Sequence, residues 1–404
     1  MNDTKSFCQK SINPEEPIEV LDFESDRYAS LKLIPWWQQE KLANAKVMVI
    51  GTGALGNEVL KNLALLGIGY VFIIDLDIIE ASNLTRSILF RETDRGKPKA
   101  MVAAQRLKEI NPDIKVSFHQ GNVTTDIGLG IFRRMDIIIC CVDNIAARVF
   151  INRACWKVAK PWINGGIDEM QGVMEVFVPP DSSCYECTMT DIDYQLMNRR
   201  HPCGLPTDEI TEGKVPTTPT IASIIAALQV QEALKLIHQK QVQGGVGLTF
   251  YGTTNEYLQV SYPRVANCPA HFTLGPILPL DRKTQDITFG DLLNEAKKEL
   301  GDEIFLELDF DLVYGLSCIC GARSEVLRRR ETLTRNDLTC IQCGEIMQMD
   351  MTSTVSWTNR RLLDKTLADG GIPPLDIVSI SNSNSSSYVY YELAGDEKLM
   401  LSFM

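Results

Sequence analysis

Three features are missing from this chain, and each removes a class of function. No run reaches the roughly 20 consecutive apolar residues of a membrane span, and the opening stretch Met1 to Ser25 is polar and acidic, with no apolar run of signal-peptide length. The expectation is a cytosolic, cytoplasmic chain with no membrane segment. Cations are scarce: 40 Lys and Arg face 52 Asp and Glu, a formal charge of −12, and Arg328 to Arg330 is the single basic run. Broad binding to nucleic acid or anionic lipid needs concentrated positive charge, so neither is expected as a partner. No internal repeat is present, which excludes a solenoid.

Apolar residues and cysteines are present in quantity. A length of 404 residues with 45% apolar side chains supports real cores and two or three domains rather than a disordered chain. Twelve cysteines in a reducing compartment are not expected to form a disulfide framework, so they divide among metal ligands, nucleophiles and small buried hydrophobes.

Residues 1–25 read as a loose lead. A first domain, 26–275, opens with β-α-β units: Lys-Val-Met-Val-Ile from Lys46, a glycine turn, a helix through Val59, Leu60, Leu63 and Leu66, and a strand Tyr70 to Ile74. A helix Lys99 to Ile110, a strand near Lys115 to Phe118 and the apolar strand Asp136 to Val142 follow, and continuous apolar strands between helices imply a parallel sheet covered on both faces. Gly172 to Val178 and Leu248 to Tyr262 extend the sheet, with an irregular crossover segment 188–219 between them closed by a helix Ile221 to His238. Turn-formers at Pro276 to Pro279 mark a boundary, and 276–404 forms a smaller second domain with an inserted cysteine cluster at 316–346.

Gly51, Gly53 and Gly56 follow a strand and open a helix at Ala54, where backbone amides and the helix N-terminus can face a phosphate. Asp75 ends the next strand, 19 residues past Gly56, in place to bond a ribose hydroxyl. On these residues alone a dinucleotide-dependent dehydrogenase is as good a reading as any. Ser82-Asn83-Leu84-Thr85-Arg86 and Gly96-Lys97-Pro98-Lys99 then add cations that hydride transfer has no need of. Asp143-Asn144 places a carboxylate at the sheet's carboxyl edge, suited to Mg²⁺. Cations and Mg²⁺ suit a carboxylate's attack on an α-phosphate as pyrophosphate leaves.

The order G-T-G-A-L-G, I-D-L-D, S-N-L-T-R, G-K-P-K-A and C-V-D-N-x-x-A-R, over roughly Arg27 to Thr273, resembles the ubiquitin-activating superfamily, which includes the activators of thiamine and molybdenum-cofactor sulfur carriers. The resemblance implies an α/β, Rossmann-like adenylation domain with a mixed sheet, usually dimeric. It implies Mg-ATP-dependent adenylation of the C-terminal glycine of a ubiquitin-like protein. Carried over, Gly51, Gly53, Ala54, Gly56, Asp75, Asn83 and Asn144 bind the nucleotide, Arg86 and Lys99 its phosphates, and Asp143 the Mg²⁺. The family often opens R-Y-x-R-Q, its second Arg reaching the partner subunit's ATP. Here Arg27-Tyr28-Ala29-Ser30 stands instead, so either Arg27 or Lys32 substitutes or the contribution in trans is absent.

Cys184-Tyr185-Glu186-Cys187 is a knuckle whose two thiolates can converge on a tetrahedral ion, and Cys268 with His271 completes a Cys₃His set for zinc. In the resembling family both positions carry C-x-x-C, so His271 stands where the fourth Cys would be. Cys318, Cys320, Cys340 and Cys343 form a second set, each pair followed by Gly as in a zinc ribbon, with a redox C-x-x-C as the competing reading. Two zinc sites are therefore expected.

Cys140, Cys141, Cys155 and Cys8 read as structural. Cys203, in His201-Pro202-Cys203-Gly204 beside Arg199 and Arg200, has the cations that lower a thiol pKa, and is the candidate nucleophile against the alternative of a packed loop thiol. In activating enzymes that form a thioester, the nucleophile precedes a P-T-T-type turn and helix, here Val215-Pro216-Thr217-Thr218. These segments look closest to the activators of the ubiquitin-fold modifier. There the Cys lies a few residues before the turn, whereas Cys203 lies 13 before Pro216.

The tail from Asp364, with Tyr388 to Leu393, is similar to the last third of a ubiquitin-like β-grasp fold, where it would dock a conjugating enzyme. A small α+β ornament held by the zinc ribbon is the equal alternative. The leading expectation is an enzyme that adenylates a ubiquitin-like protein and captures it as a thioester on Cys203, working as a homodimer with a ubiquitin-conjugating-type enzyme downstream. A sulfur-carrier activator without the thioester step is the runner-up, a scaffold of the same fold the third reading, and the dehydrogenase the weakest.

Overall fold

A computed structural model describes residues 25–190, 192–194, 216–385 and 387–395. The first sheet has eight strands: β1 (Lys46–Ile50), β2 (Tyr70–Asp75), β3 (Lys115–Gln120), β4 (Ile137–Cys140), β5 (Trp162–Asp168), β6 (Gln171–Phe177), β7 (Val246–Tyr251) and β8 (Glu256–Ser261), in the order β3-β2-β1-β4-β5-β6-β7-β8. From β3 to β5 every pairing is parallel, and from β5 to β8 every pairing is antiparallel, so the sheet is mixed. The alternating run expected over Leu248 to Tyr262 is in fact a hairpin, broken at the turn where Asn255 takes a positive φ of 58°.

Helices α1 (Ala54–Leu66), α2 (Lys99–Ile110), α3 (Ile145–Lys157) and α4 (Pro219–Ile237) cover the sheet. α1, α2 and α4 pack on one face, through Leu55, Leu60, Ala103 and Ile225 among others, while α3 and residues 123–135 fill the other around Phe72, Phe132 and Trp162. By length and composition α4 alone among the described helices is apolar enough to cross a membrane, although no such run was expected from the sequence. In the fold it is a core helix. Its stripe Ile221, Ala222, Ile225, Ala226, Val230 and Ala233 lies buried against the sheet and α1. Within that stripe buried Gln229 donates Nε2 to the carbonyls of Cys140 (2.9 Å) and Ile163 (3.4 Å), fastening the helix to the ends of β4 and β5.

The second sheet comprises β9 (Ile277–Lys283), β10 (Ile304–Ser317), the two-residue strands β11 (Arg323–Ser324) and β12 (Arg328–Arg329), β13 (Gln348–Ser356), β14 (Ile377–Asn382) and β15 (Tyr388–Ala394). Its main path runs β11-β10-β14-β15-β9, with β12 and β13 paired to β10, and β9 lies parallel to β15. Helix α5 (Phe289–Leu300), opened by a Thr288–Asp291 capping box, buries Phe289, Leu292, Leu293 and Ala296 against it. β10 runs far beyond the strand expected at Ile304 to Leu308, because β13 pairs along it past a register shift and carries it into the cysteine cluster.

The two sheets share a joint. Arg133 and Arg134 both bond buried Glu392, at 2.7 and 2.5 Å, and the amide of Leu129 donates to Asp376 Oδ1 at 2.9 Å. Burial pushes the Asp376 carboxyl from 3.8 up to about 6, against the donors Leu129 and Ile377. With the folded pKa above the unfolded one, the unfolded chain ionises first, so stability is lost as pH rises from about 4 to 6. Asp376→Asn, which keeps an acceptor for Leu129 but no charge, is expected to raise Tm at pH 8 by roughly 2–4 °C. In scanning calorimetry the gain should close as pH falls toward 4.

Candidate functional site

The site lies at the carboxyl edge of the parallel strands. Gly51, at φ 90°, lies so close to β4's extension that a Cβ would meet the Cys141 carbonyl oxygen at 2.7 Å, and a Cβ on Gly56 would meet the Gly51 carbonyl oxygen at 1.9 Å. Only glycine allows this tight entry into α1. Gly53 has open space around it and caps α1, so the first-turn amides that follow, from Ala54 on, lack intrahelical acceptors and face that space.

Asp75, at the end of β2, accepts from Thr52 N (2.6 Å), Thr52 Oγ1 (2.8 Å) and Asp77 N (2.8 Å). A carboxylate has about four lone-pair positions, so one remains for a ribose hydroxyl. Burial pushes its carboxyl up, and the charge of Lys99 and the Thr52 and Asp77 donors oppose this. Lys99, buried at the start of α2, holds Asp77 Oδ2 at 2.7 Å. The glycine loop, Asp75 and Lys99 therefore form one connected arrangement, with Asp77 as the lysine's resting partner.

Asn83 is buried and shapes the turn Ala81–Asn83 by accepting from Glu80 N at 2.8 Å. Arg86 donates to the Ser82 carbonyl at 2.9 Å. Buried Asn57 ties this segment to α1 by accepting from Leu89 N at 2.9 Å. Asp143 is exposed, three residues past the end of β4, and Asn144 caps α3 by accepting from Ala147 N at 2.8 Å. Asn144's side-chain oxygen thus serves the helix. Arg27 is pinned to its own chain by Asn111 (2.5 Å) and the Ile110 carbonyl (2.9 Å), and Lys32 bonds Asp26 at 2.7 Å. Both substitutes for an arginine acting in trans are thus engaged within their own subunit.

The cysteines assemble as their spacing implies. Cys184 Sγ lies 3.7 Å from Cys187 Sγ and 3.6 Å from Cys268 Sγ, and Cys187 Sγ lies 3.3 Å from His271 Nε2. In the second set Cys318 to Cys343 is 3.4 Å and Cys320 to Cys340 is 3.7 Å. A tetrahedron with Zn–S near 2.3 Å has edges of about 3.8 Å, whereas a disulfide bond is about 2.05 Å. All four ligand atoms of each set lie within 4.8 Å of one another, so both donor sets fit zinc. In the second set Gly321 and Gly344 turn at positive φ (91° and 78°), and the amides of Gln342 and Cys343 hold the Cys340 thiol down at about 7. The first pair, Cys318-Ile319-Cys320, is one residue shorter than C-x-x-C and still converges with the second. Cys140 and Cys155 are fully buried, and burial pushes their thiols and that of Cys141 up, so all three are structural. Cys8 and Cys203 lie outside the described residues.

Sequence reasoning missed Thr52, Asp77, Asn57, Gln229, Tyr185 and Arg148. Thr52, Asp77, Arg148 and Tyr185 stand inside quoted motifs but carried no role, and nothing local marks Asn57 or Gln229.

A doubly wound nucleotide-binding domain with a Cys₃His knuckle is the class these features define. The model of the ThiF family matches residues 25–270, and the chain belongs to that family. It is 32% identical over 232 residues to the sulfur carrier protein ThiS adenylyltransferase of Escherichia coli, covering 57% of this chain and 87% of that protein. It is 30% identical over 217 residues to ubiquitin-like modifier-activating enzyme 5 of Dictyostelium discoideum, covering 49% of this chain and only 54% of that enzyme. Among solved structures, E. coli MccB with ATP superposes with a TM-score of 0.52 at 27% identity, over 62% of this chain and 75% of that one. The second cysteine set lies beyond the matched region.

Proposed function

We propose that the protein uses Mg-ATP to adenylate the C-terminal glycine of a ubiquitin-like protein and then takes the acyl group as a thioester on Cys203. The observation that carries the adenylation step is the carboxyl edge itself: the connected glycine loop, Asp75 and buried Lys99, with an exposed Asp143 just past the end of β4, suit a triphosphate rather than a nicotinamide. The substrate carboxylate attacks the α-phosphorus, the bond to the bridging oxygen breaks, and pyrophosphate leaves. Lys99 and Arg86 neutralise phosphate charge, and Asp75 fixes the ribose. Asp143 would hold Mg²⁺, which supplies further charge neutralisation on the phosphates. The Cys203 thiolate then attacks the acyl carbon and AMP departs.

The likeness to the ThiS adenylyltransferase over 87% of its length favours a second reading, in which the reaction stops at the adenylate and a sulfur donor follows. Whichever acceptor follows, we read the protein as a cytosolic homodimer. The second domain, helix α5 on a mixed sheet ending in β14 and β15, is read as a β-grasp-like platform that receives a conjugating enzyme.

The test mixes the full chain, ATP and candidate ubiquitin-like proteins and resolves the products on a non-reducing gel. A DTT-sensitive adduct that vanishes in Cys203→Ala is the expected result. An adduct that survives the substitution removes Cys203 from the mechanism, and pyrophosphate release without any adduct selects the sulfur-carrier reading.

A further inference from the structure

Arg329 sits in β12, inside the cysteine-bearing insertion of the second domain and beyond the residues that match the ThiF family, yet it bonds the first domain at the edge of the nucleotide site. Its side chain is buried, with the guanidinium over the Phe310 ring at 3.9 Å from the centroid. Nε donates to the Gly371 carbonyl at 2.8 Å and Nη1 to the Thr124 carbonyl at 2.9 Å. Gly371 turns at φ 80°, and a Cβ there would meet Arg329 Cγ at 3.0 Å, so the glycine leaves room for the arginine stem. A planar fork can reach two carbonyls in two domains at once, which a single ammonium cannot.

Thr124 belongs to the turn that follows β3. Gln120, the last residue of β3, pairs with Asp75, and the amide of Gly121 donates to the Asp75 carbonyl at 3.2 Å. The turn is shaped by its own side chains: Asn122 Oδ1 accepts from Thr124 N and Oγ1, both at 3.0 Å, and Asp126 Oδ2 accepts from Asn122 N at 2.8 Å. Along the carboxyl edge the strands run β3-β2-β1. With phosphates at the glycine loop after β1 and the ribose at Asp75 on β2, the base of a nucleotide falls next in line, at the end of β3 beside this turn. The two domains are already joined through Glu392 and Asp376, so the bond to Thr124 adds order at the turn itself.

We propose that Arg329 is a positioning residue for the base end of the nucleotide site. It fixes the turn 121–126 beside Asp75 and thereby gives the cysteine-bearing insertion a part in binding ATP. This rests on the adenylation reading, in which Asp75 holds the ribose.

The experiment uses calorimetry on the zinc-loaded full chain in Mg²⁺ to measure affinity for ATP and for inorganic tripolyphosphate, which carries the phosphates without sugar or base. Arg329→Lys keeps the charge and loses the fork. The expected result is two zinc ions retained, ATP affinity weakened about tenfold, as for loss of one hydrogen bond from a charged group, and tripolyphosphate affinity unchanged. Phe310→Leu removes the ring beneath the guanidinium and leaves the arginine in the chain. It should move the ratio of the two affinities the same way, by about threefold. Glu392→Gln loosens the domain joint without touching the turn, and should lower Tm while leaving that ratio at the wild-type value. An Arg329→Lys ratio equal to wild type overturns the proposal. So does an equal loss of both ligands, or a Glu392→Gln ratio that falls as far, since either makes Arg329 part of the domain joint only. A wild-type chain that binds tripolyphosphate as tightly as ATP has no base end to position, which overturns the proposal and leaves phosphate binding intact. A wild-type chain that binds neither removes the adenylation reading and the proposal with it.

Discussion

Asp143→Asn is expected to lower carrier-dependent ATP–pyrophosphate exchange by about 10²–10³-fold while leaving Tm unchanged. The two halves of this outcome have separate causes. Asp143 is exposed and is not the cap of α3, since Asn144 accepts the Ala147 amide, so the fold has no use for its charge. Exposed substitutions of this kind stay within about 0.5 kcal/mol in stability. Its place at the carboxyl edge, next to the peptide held by Arg148, is where Mg²⁺ would meet the phosphates, and an amide is a poor ligand for so hard a cation. Exchange kinetics and a thermal melt on the same preparation read both halves. A melt that drops with the exchange rate would assign Asp143 a structural role instead.

Cys184→Ala should have the second-largest effect, on the protein as a whole. The thiol is fully buried and touches two other ligands of its set, while Tyr185, Glu186 and His271 around it are the contacts through which α3 is seated. Without the fourth ligand the remaining thiolates are left uncompensated at the base of the helix that follows Asp143, and structural zinc contributes folding energy directly. Zinc content is expected to fall from two ions per chain to one, and Tm by about 10 °C. Elemental analysis and calorimetry check this. Two zinc ions retained in the variant would mean that the ligands are assigned wrongly.

Much of the architecture is legible in the sequence because its signals are local. Val47 to Ile50 and Ile137 to Cys140 are continuous apolar runs, which only a strand covered on both faces requires, and Gly51 marks a turn that a Cβ would block. The cysteine pairs are legible for the same reason, since a knuckle is set by spacing, and even the shortened Cys318–Cys320 pair converges with its partner. What escaped the sequence depends on contacts between distant segments. Gln229 reaches β4 and β5 from a helix some 66 to 89 positions away, and the length of β10 is decided by its pairing with β13. Glu392 and Asp376 look like ordinary surface acids in the tail, yet they join the two sheets. Arg148 belongs to a motif whose Asp143 drew the attention, and its bonds to the Val142 and Gly165 carbonyls appear only once the strands are assembled.

Exchange of labelled pyrophosphate into ATP tests the central claim most directly, with the zinc-loaded full chain and a ubiquitin-like protein presented intact or shortened by its last glycine. The adenylation account predicts exchange that depends on Mg²⁺ and on the intact carrier and disappears with the shortened one. Exchange that proceeds equally with the shortened carrier, or ATP consumption that never exchanges pyrophosphate with any carrier, would contradict it.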